Sequence, residues 1–75
     1  MIIKLTGIAA DLYGSGELEV NGVSRVDQLN ESLRSSIKGL DNYTYKISVN
    51  SKLAGEKEAL SEKDEIIVFN PFAGG

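Results

Sequence analysis

A single stripe of apolar residues at helical spacing, with strand-like patterns on both sides of it, most restricts the fold open to this chain. The members of the stripe recur at steps of three and four along the sequence: Val26, Leu29, Leu33 and Ile37. Ser24 lies three residues before Asp27, which is the spacing of a capping box, and Gly39 lies where a left-handed cap would end the helix. We therefore expect one helix of about four turns, with its apolar stripe in the core.

Two strand patterns precede this helix. Residues 2–8 are rich in β-branched side chains, and residues 17–20 alternate polar and apolar with the period of a half-buried strand. Residues 12–16, which lie between them, include two glycines and a serine and have the composition of a turn. The two segments are expected to pair as a hairpin with a loose loop.

Three further strand patterns follow the helix. Residues 43–49 alternate cleanly, and residues 52–54 form a possible short strand after a turn at residues 50–51. Residues 66–69 are apolar on both faces, as is typical of a central strand. Leu60 is expected to anchor the intervening loop to the core.

The first and the last of these segments are the most apolar, so they are expected to lie side by side in the middle of one sheet. One helix can cover only one face of such a sheet. The other face should then present Ile2, Ile8 and one side of residues 66–69 to solvent or to a partner. No repeat or linker interrupts the order, so one domain is expected.

The composition excludes most catalytic chemistry. The 75 residues include no Cys and no His, which removes thiolate nucleophiles, imidazole bases and zinc sites, so no metal site is expected. A net charge of −3 without a basic stripe disfavours nucleic acid. The sequence contains no export signal and no stretch long enough to span a membrane, which indicates a cytoplasmic protein. A domain of 75 residues is too small for a deep pocket of its own, so the chain is not expected to be catalytic alone.

The final residues, Gly74 and Gly75, offer a different kind of reactive group. If chemistry takes place at the last residue, the group is the terminal carboxylate, which needs no side-chain motif. The alternative is a frayed end, since glycines and termini are both commonly disordered.

Residues 64–75 resemble the pattern of a known family: Asp64 and Glu65, an apolar strand, Pro71, two further residues, and Gly-Gly. The chain is similar over its full length to the MoaD/ThiS sulfur carriers of the β-grasp, or ubiquitin-like, fold. The resemblance implies an α+β fold, with a mixed four- to five-stranded sheet and one main helix packed on one face. It divides the chain into a β-grasp domain, residues 1–70, and a flexible C-terminal tail, residues 71–75.

The same resemblance implies a function. An adenylating enzyme of the MoeB type would activate the carboxylate of Gly75 with ATP, and a sulfur donor protein would supply the sulfur that converts it to a thiocarboxylate. Pro71 and the length of the chain favour MoaD, the small subunit of molybdopterin synthase. Gly75 would then donate sulfur to precursor Z in a MoaE-like large subunit, for molybdenum cofactor biosynthesis. The chain itself would bind no cofactor.

The tail residues fit such a role. Gly74 and Gly75 have no Cβ and can enter a narrow channel, and Pro71 limits the conformations of the free tail. Phe72 and Ala73 are expected to contact the partner, although Phe72 could instead fold back on its own domain. Phe69 is the fourth partner-binding candidate, after Pro71, Phe72 and Ala73, with packing on the core or the sheet face as its alternative.

Three other functions remain open at this stage. A ubiquitin-like modifier would link Gly75 to lysines of other proteins, and a ThiS-type carrier would supply a thiazole synthase in thiamin synthesis. The third is an interaction domain of β-grasp shape with an inert tail.

Overall fold

The computed structural model describes residues 1–71, and residues 72–75 lie outside the described part. The elements follow in this order: β1 (Ile2–Leu5), α1 (Gly7–Tyr13), β2 (Glu17–Glu19), α2 (Val26–Ser36), a 3-10 turn (Leu40–Asn42), β3 (Lys46–Val49), β4 (Lys52–Leu53) and β5 (Ile66–Phe69). All five predicted strands are present, together with a second helix that was not predicted.

The five strands form one mixed sheet in the order β2–β1–β5–β3–β4. β1 and β5 are parallel, with Ile3 opposite Ile66 and Leu5 opposite Val68, whereas the other neighbouring strands are antiparallel. The first and the last strand therefore lie side by side, as predicted, and β5 is the central strand. The sheet and α2 give the α+β class that the sequence predicts.

The hydrophobic core lies between α2 and the inner face of the sheet. Strand residues alternate between buried and exposed along β1 and β3, and β5 alternates between buried and half-buried. Val26, Leu29 and Leu33 of α2 are buried in the same cluster, and so is Ile37, the last member of the predicted stripe. Among residues 1–71 no polar or charged residue is buried, so the core is held by apolar packing alone.

Helix α1 occupies the segment where a strand end and a loose loop were expected. The strand ends at Leu5 because Gly7 adopts φ +57, which breaks the extended conformation. Ala9, which belongs to α1, is small and fully buried, so it attaches the helix to the core. Gly14 adopts φ 86 and its N–H donates to the carbonyl of Ala10 at 2.8 Å, so the predicted turn residue is in fact a helix cap.

The predicted capping box at the start of α2 is wrong. The helix begins one residue after Arg25, and no side chain caps it. The first N–H groups of the helix, those of Val26 and Asp27, instead donate to the backbone carbonyls of Glu58 and Glu56, at 3.0 and 2.8 Å. A neighbouring loop thus satisfies the donors that a side chain normally would.

The loop between β4 and β5 is tied down at several points. Leu60 packs against the core, as predicted, and its N–H donates to the carbonyl of Ser24 at 2.9 Å. Asn50 and Ser51 both have positive φ, which gives the predicted tight turn between β3 and β4. Gly39 is left-handed as predicted, but it lies three residues beyond the end of α2.

Candidate functional site

The site follows from the way in which the chain leaves the central strand. β5 ends at Phe69, and Asn70 and Pro71 lead from it toward the tail. The carbonyl of Val68 accepts two hydrogen bonds from Thr6, one from its N–H at 3.1 Å and one from its hydroxyl at 2.8 Å. The carboxyl end of β5 is therefore fixed to the end of β1.

The side chain of Asn70 adds two more connections at this point. Its Oδ1 accepts from the N–H of Ile8 at 2.9 Å, and its Nδ2 donates to the carbonyl of Thr44 at 2.9 Å. Both partners belong to the backbone and lie far away in sequence. One half-buried amide thus joins the beginning of α1 to the segment before β3, directly at the base of the tail.

Gly7 makes room for this amide. A Cβ built on Gly7 would lie 2.7 Å from Oδ1 of Asn70, which is closer than non-bonded atoms approach, and the backbone at Gly7 has φ +57. Glycine therefore meets a steric and a conformational need at the same position.

The segment that carries Thr44 is itself held to α2. The hydroxyl of Tyr45 donates to Oδ1 of Asn30 at 2.6 Å. Burial raises the pKa of the Tyr45 hydroxyl, while the nearby Arg34 acts to lower it and Asp41 to raise it. The phenol therefore stays neutral and able to donate at physiological pH.

A groove of about 400 Å³ opens beside Asn70. α1 lines one side of it and the segment before β3 the other, with these residues: Gly7, Ile8, Asp11, Asn42, Tyr43, Thr44 and Asn70. The lining contains one carboxylate and neither a lysine nor an arginine, so it lacks a paired acid and base. Ile8 and Tyr43 supply apolar surface to the groove, and Asn70 lies at its base.

The outer face of the sheet carries the apolar surface that the sequence predicts. Ile67 and Phe69 of β5 are half-buried there, and Ile2 is 52% exposed. Lys4 lies opposite Ile67 in the parallel register and pairs with Glu65 at 3.8 Å. Ile8 was also expected on this face, but it belongs to α1 and lines the groove instead. The face is thus an apolar strip with charged residues beside it.

The predicted site residues fall into two groups. Pro71 is exposed at the end of the described chain, and Phe69 lies half-buried on the outer face, opposite Lys46. The remaining candidates lie outside the described residues: Phe72, Ala73, Gly74 and Gly75. Sequence reasoning missed Asn70 and Gly7, and the position of an asparagine between an apolar strand and a proline was the only signal for the first.

The fold is shared with solved structures. A crystal structure of SAMP1 from Haloferax volcanii matches 100% of this chain and 98% of that one, with 25% identity and a TM-score of 0.73. A second crystal structure, of H. volcanii small archaeal modifier protein 1, covers 95% of each chain at 23% identity and a TM-score of 0.75. The putative molybdopterin converting factor, subunit 1, from Pyrococcus furiosus is 22% identical, with 93% of this chain and 94% of that chain covered and a TM-score of 0.79. These neighbours confirm the predicted β-grasp fold.

No curated protein sequence matches the chain. Within residues 1–71, neither helix has the length and apolar character needed to cross a bilayer. The model of the ThiS family matches residues 3–75, and so takes in β1, the central strand and the final glycine pair. This chain therefore belongs to the ThiS family of ubiquitin-like sulfur carriers.

Proposed function

We propose that this ThiS-family chain is a MoaD-type sulfur carrier, the small subunit of a molybdopterin synthase, and that Gly75 carries the sulfur. One observation carries the proposal: the family match covers residues 3–75 and so runs from β1 through Gly75. The described structure supports it, because the most fully paired strand, β5, leads directly into Asn70 and Pro71.

The proposed chemistry takes place at the carboxylate of Gly75. A carboxylate is a poor electrophile, so one of its oxygens first attacks the α-phosphorus of ATP in the adenylating enzyme, and pyrophosphate leaves. A sulfur nucleophile on the donor protein then attacks the acyl carbon and AMP leaves. With the outer sulfur of a cysteine persulfide as that nucleophile, the adduct is an acyl disulfide. A second thiol then attacks its cysteine sulfur, so the thiocarboxylate stays on Gly75 and the donor is left as a disulfide. The sequence contains no cysteine thiol that could compete for the activated acyl group.

The body of the protein supplies contact and not catalysis in this proposal. The described residues offer an apolar strip on the outer face, with Ile67 and Phe69 at its centre and Lys4 and Lys46 beside it. Such a surface fits a protein partner, which we take to be the adenylating enzyme and then a MoaE-like large subunit. We propose that the reaction takes place in the cytoplasm. This location is a prediction from the sequence alone.

The tail would bridge the distance from this surface to an enclosed site. Five extended residues reach about 17 Å, which is enough to place Gly75 inside a partner while the body stays outside. Pro71 has its φ restricted near −65°, so the tail loses less conformational entropy when it enters.

The intact mass of the protein tests the proposal. We expect that incubation with the adenylating enzyme, ATP and a sulfur donor replaces one oxygen by sulfur, and that fragmentation locates the change at Gly75. A variant lacking Gly75 should keep the wild-type thermal stability and gain no sulfur. Sulfur gained elsewhere, or sulfur transfer to a pterin by the shortened variant, would contradict the assignment.

A protein modifier is the second candidate, and a specific observation favours it. Two similar structures are described as SAMP1 and as a small archaeal modifier protein. Adenylation is common to both functions, so the products distinguish them. A modifier yields adducts of higher mass in cell extract, joined through Gly75 to lysines, whereas a carrier keeps its own mass apart from the exchanged atom.

A ThiS-type carrier, which serves thiamin synthesis, shares the thiocarboxylate and differs in its acceptor. Co-purification with a thiazole synthase instead of a molybdopterin synthase large subunit would select it.

A further inference from the structure

We propose that Asn70 is a positioning residue that fixes the point and the direction in which the chain leaves β5 toward Gly75. The inference rests on the proposed function, because it gives Asn70 a part in presenting Gly75 to the adenylating enzyme. Asn70 touches no reacting atom and acts through the tail that follows it.

The two hydrogen bonds of the Asn70 side chain carry the inference. They run in different directions, to the N–H of Ile8 and to the carbonyl of Thr44, each at 2.9 Å. Together they use both the acceptor Oδ1 and the donor Nδ2 of the amide. A rotation of the side chain that broke one bond would therefore break the other as well. The Cα of Asn70 is thereby held between two separate parts of the body.

Gly7 gives independent support. Any larger residue at this position would put a Cβ 2.7 Å from Oδ1 of Asn70. The backbone at Gly7 follows directly on Thr6, whose N–H and hydroxyl already hold the carbonyl of Val68. Thr6 therefore holds the carbonyl of Val68, and Ile8, two residues further along the same backbone, binds the side chain of Asn70.

The other partner is also rigidly held. Thr44 precedes Tyr45, whose hydroxyl donates to Asn30 of α2 at 2.6 Å. A fixed Asn70, followed by Pro71 with its restricted φ, limits the directions in which the chain can leave β5. Fewer directions reduce the entropy that is lost when the tail enters a partner, and this raises the fraction of docked complexes in which Gly75 reaches the nucleotide.

A matched control lies at the opposite end of β5. Asn50 also uses both ends of its amide, since its Oδ1 accepts from the N–H of Glu65 at 2.9 Å and its Nδ2 donates to the carboxylate of Asp64 at 3.0 Å. Loss of either amide removes one accepted and one donated bond, but only Asn70 lies next to the tail. A comparison of variants at Asn50 and Asn70 therefore separates a positioning role from a purely structural one.

The experiment compares Asn70→Ala, Asn70→Asp and Asn50→Asp in the full chain. Adenylation is measured as ATP–pyrophosphate exchange by the adenylating enzyme, with kcat and KM for the carrier, and stability is measured by thermal unfolding. We expect Asn70→Ala to lower kcat/KM roughly tenfold or more, mostly through kcat. Asn70→Asp keeps the acceptor for Ile8 but loses the donor, so it should be intermediate. Asn50→Asp should keep the wild-type kcat/KM.

A double variant tests the contact with Gly7. Gly7→Ala alone should impair exchange, because its Cβ displaces the Asn70 amide. Added to Asn70→Ala it should cause a smaller further loss of exchange than it causes alone, since the atom that it would displace is gone and only the strain of the backbone at φ +57 remains. Losses that multiply in the double variant would overturn the coupling.

The outcomes are distinguishable from failure of the proposed function. Normal exchange by Asn70→Ala, or equal losses in Asn50→Asp and Asn70→Asp, would overturn the positioning role and leave the carrier function intact. If the wild-type chain supports no exchange and gains no sulfur, the proposed function fails and the role of Asn70 fails with it. Faster hydrogen exchange of the Ile8 amide in Asn70→Ala, with no enzyme present, is the expected sign that the bond exists in solution.

Discussion

Three asparagine side chains connect parts of the molecule that the sheet ladder leaves apart. Asn30 accepts from Tyr45, Asn50 joins the turn after β3 to the residues before β5, and Asn70 joins the end of β5 to α1. Asn30 lies on the polar side of α2, and Asn50 and Asn70 lie in connecting segments where asparagine is common, so none of these roles could be predicted. Ile8, one of the two partners of Asn70, lies 62 residues away, and only the three-dimensional structure brings the two residues together.

The Tyr45 hydroxyl should give the stability a specific pH dependence. Burial raises its pKa in the folded protein above the unfolded value of about 10. The contribution of the phenol is therefore fully present below about pH 10 and is lost as the pH rises through the raised pKa. Denaturant unfolding between neutral and alkaline pH should show this loss in the wild type and much less of it in Tyr45→Phe.

Tyr43→Phe is the control, because Tyr43 is 46% exposed. That variant should keep the alkaline loss. At neutral pH we expect Tyr45→Phe to cost about 1 kcal/mol through its lost hydrogen bond. An unchanged pH profile in Tyr45→Phe would contradict the burial argument.

Gly74→Val tests the narrow-channel part of the proposed function. A β-branched side chain should prevent the tail from reaching the nucleotide, so exchange should fall roughly a hundredfold or more while thermal unfolding stays at the wild-type temperature. Normal adenylation of Gly74→Val would refute the channel.

Among the elements, α1 is the one that sequence patterns missed. Its seven residues are too few for a clear helical period. Its first apolar residue, Ile8, also continues the apolar pattern of β1. Two glycines set its limits, since Gly7 ends the strand and Gly14 caps the helix. Ala9 reaches the core from a helix whose end, at Leu12 and Tyr13, is partly exposed. By contrast, α2 was predictable because its apolar stripe continues for three turns.

The cap of α1 gives an element-scale prediction. Gly14 is left-handed and has no atom within 4 Å of an added Cβ, so the cost of Gly14→Ala is conformational and amounts to about 1 kcal/mol. Gly55 has equally open space without a left-handed backbone. Thermal unfolding should therefore shift downward by roughly 4–8 °C in Gly14→Ala and hardly at all in Gly55→Ala. Equal shifts would show that the cap does not determine the effect.

For the whole molecule, the apolar residues made the sheet predictable. The run Ile66–Phe69 is apolar at every position, which is typical of a central strand, and β5 is central in the sheet. The site was predictable only in part, because Phe69 and Pro71 could be named from the tail motif. The groove beside Asn70 depends on α1, and its existence could not be inferred without that helix.

Phe69→Ala tests the outer face as a docking surface. Phe69 lies half-buried next to the start of the tail, so its removal should weaken binding to the proposed large subunit roughly tenfold, or about 1.4 kcal/mol. Leu53→Ala is the control, since Leu53 is 67% exposed on the edge strand β4. Titration calorimetry should separate the two. A larger effect from Leu53→Ala would move the contact along the same outer face to its edge at β4, because Leu53 lies opposite Ser48, which in turn lies opposite Ile67.

The central position of β5 also has a mechanical consequence. Tension applied to the tail is transmitted along β5, which is bonded to β1 on one side and to β3 on the other. Because the force runs parallel to these strands, the hydrogen bonds of both ladders bear it together and cannot open one after another. A partner that grips and draws on the tail would therefore move the whole domain toward itself before it could unravel the sheet.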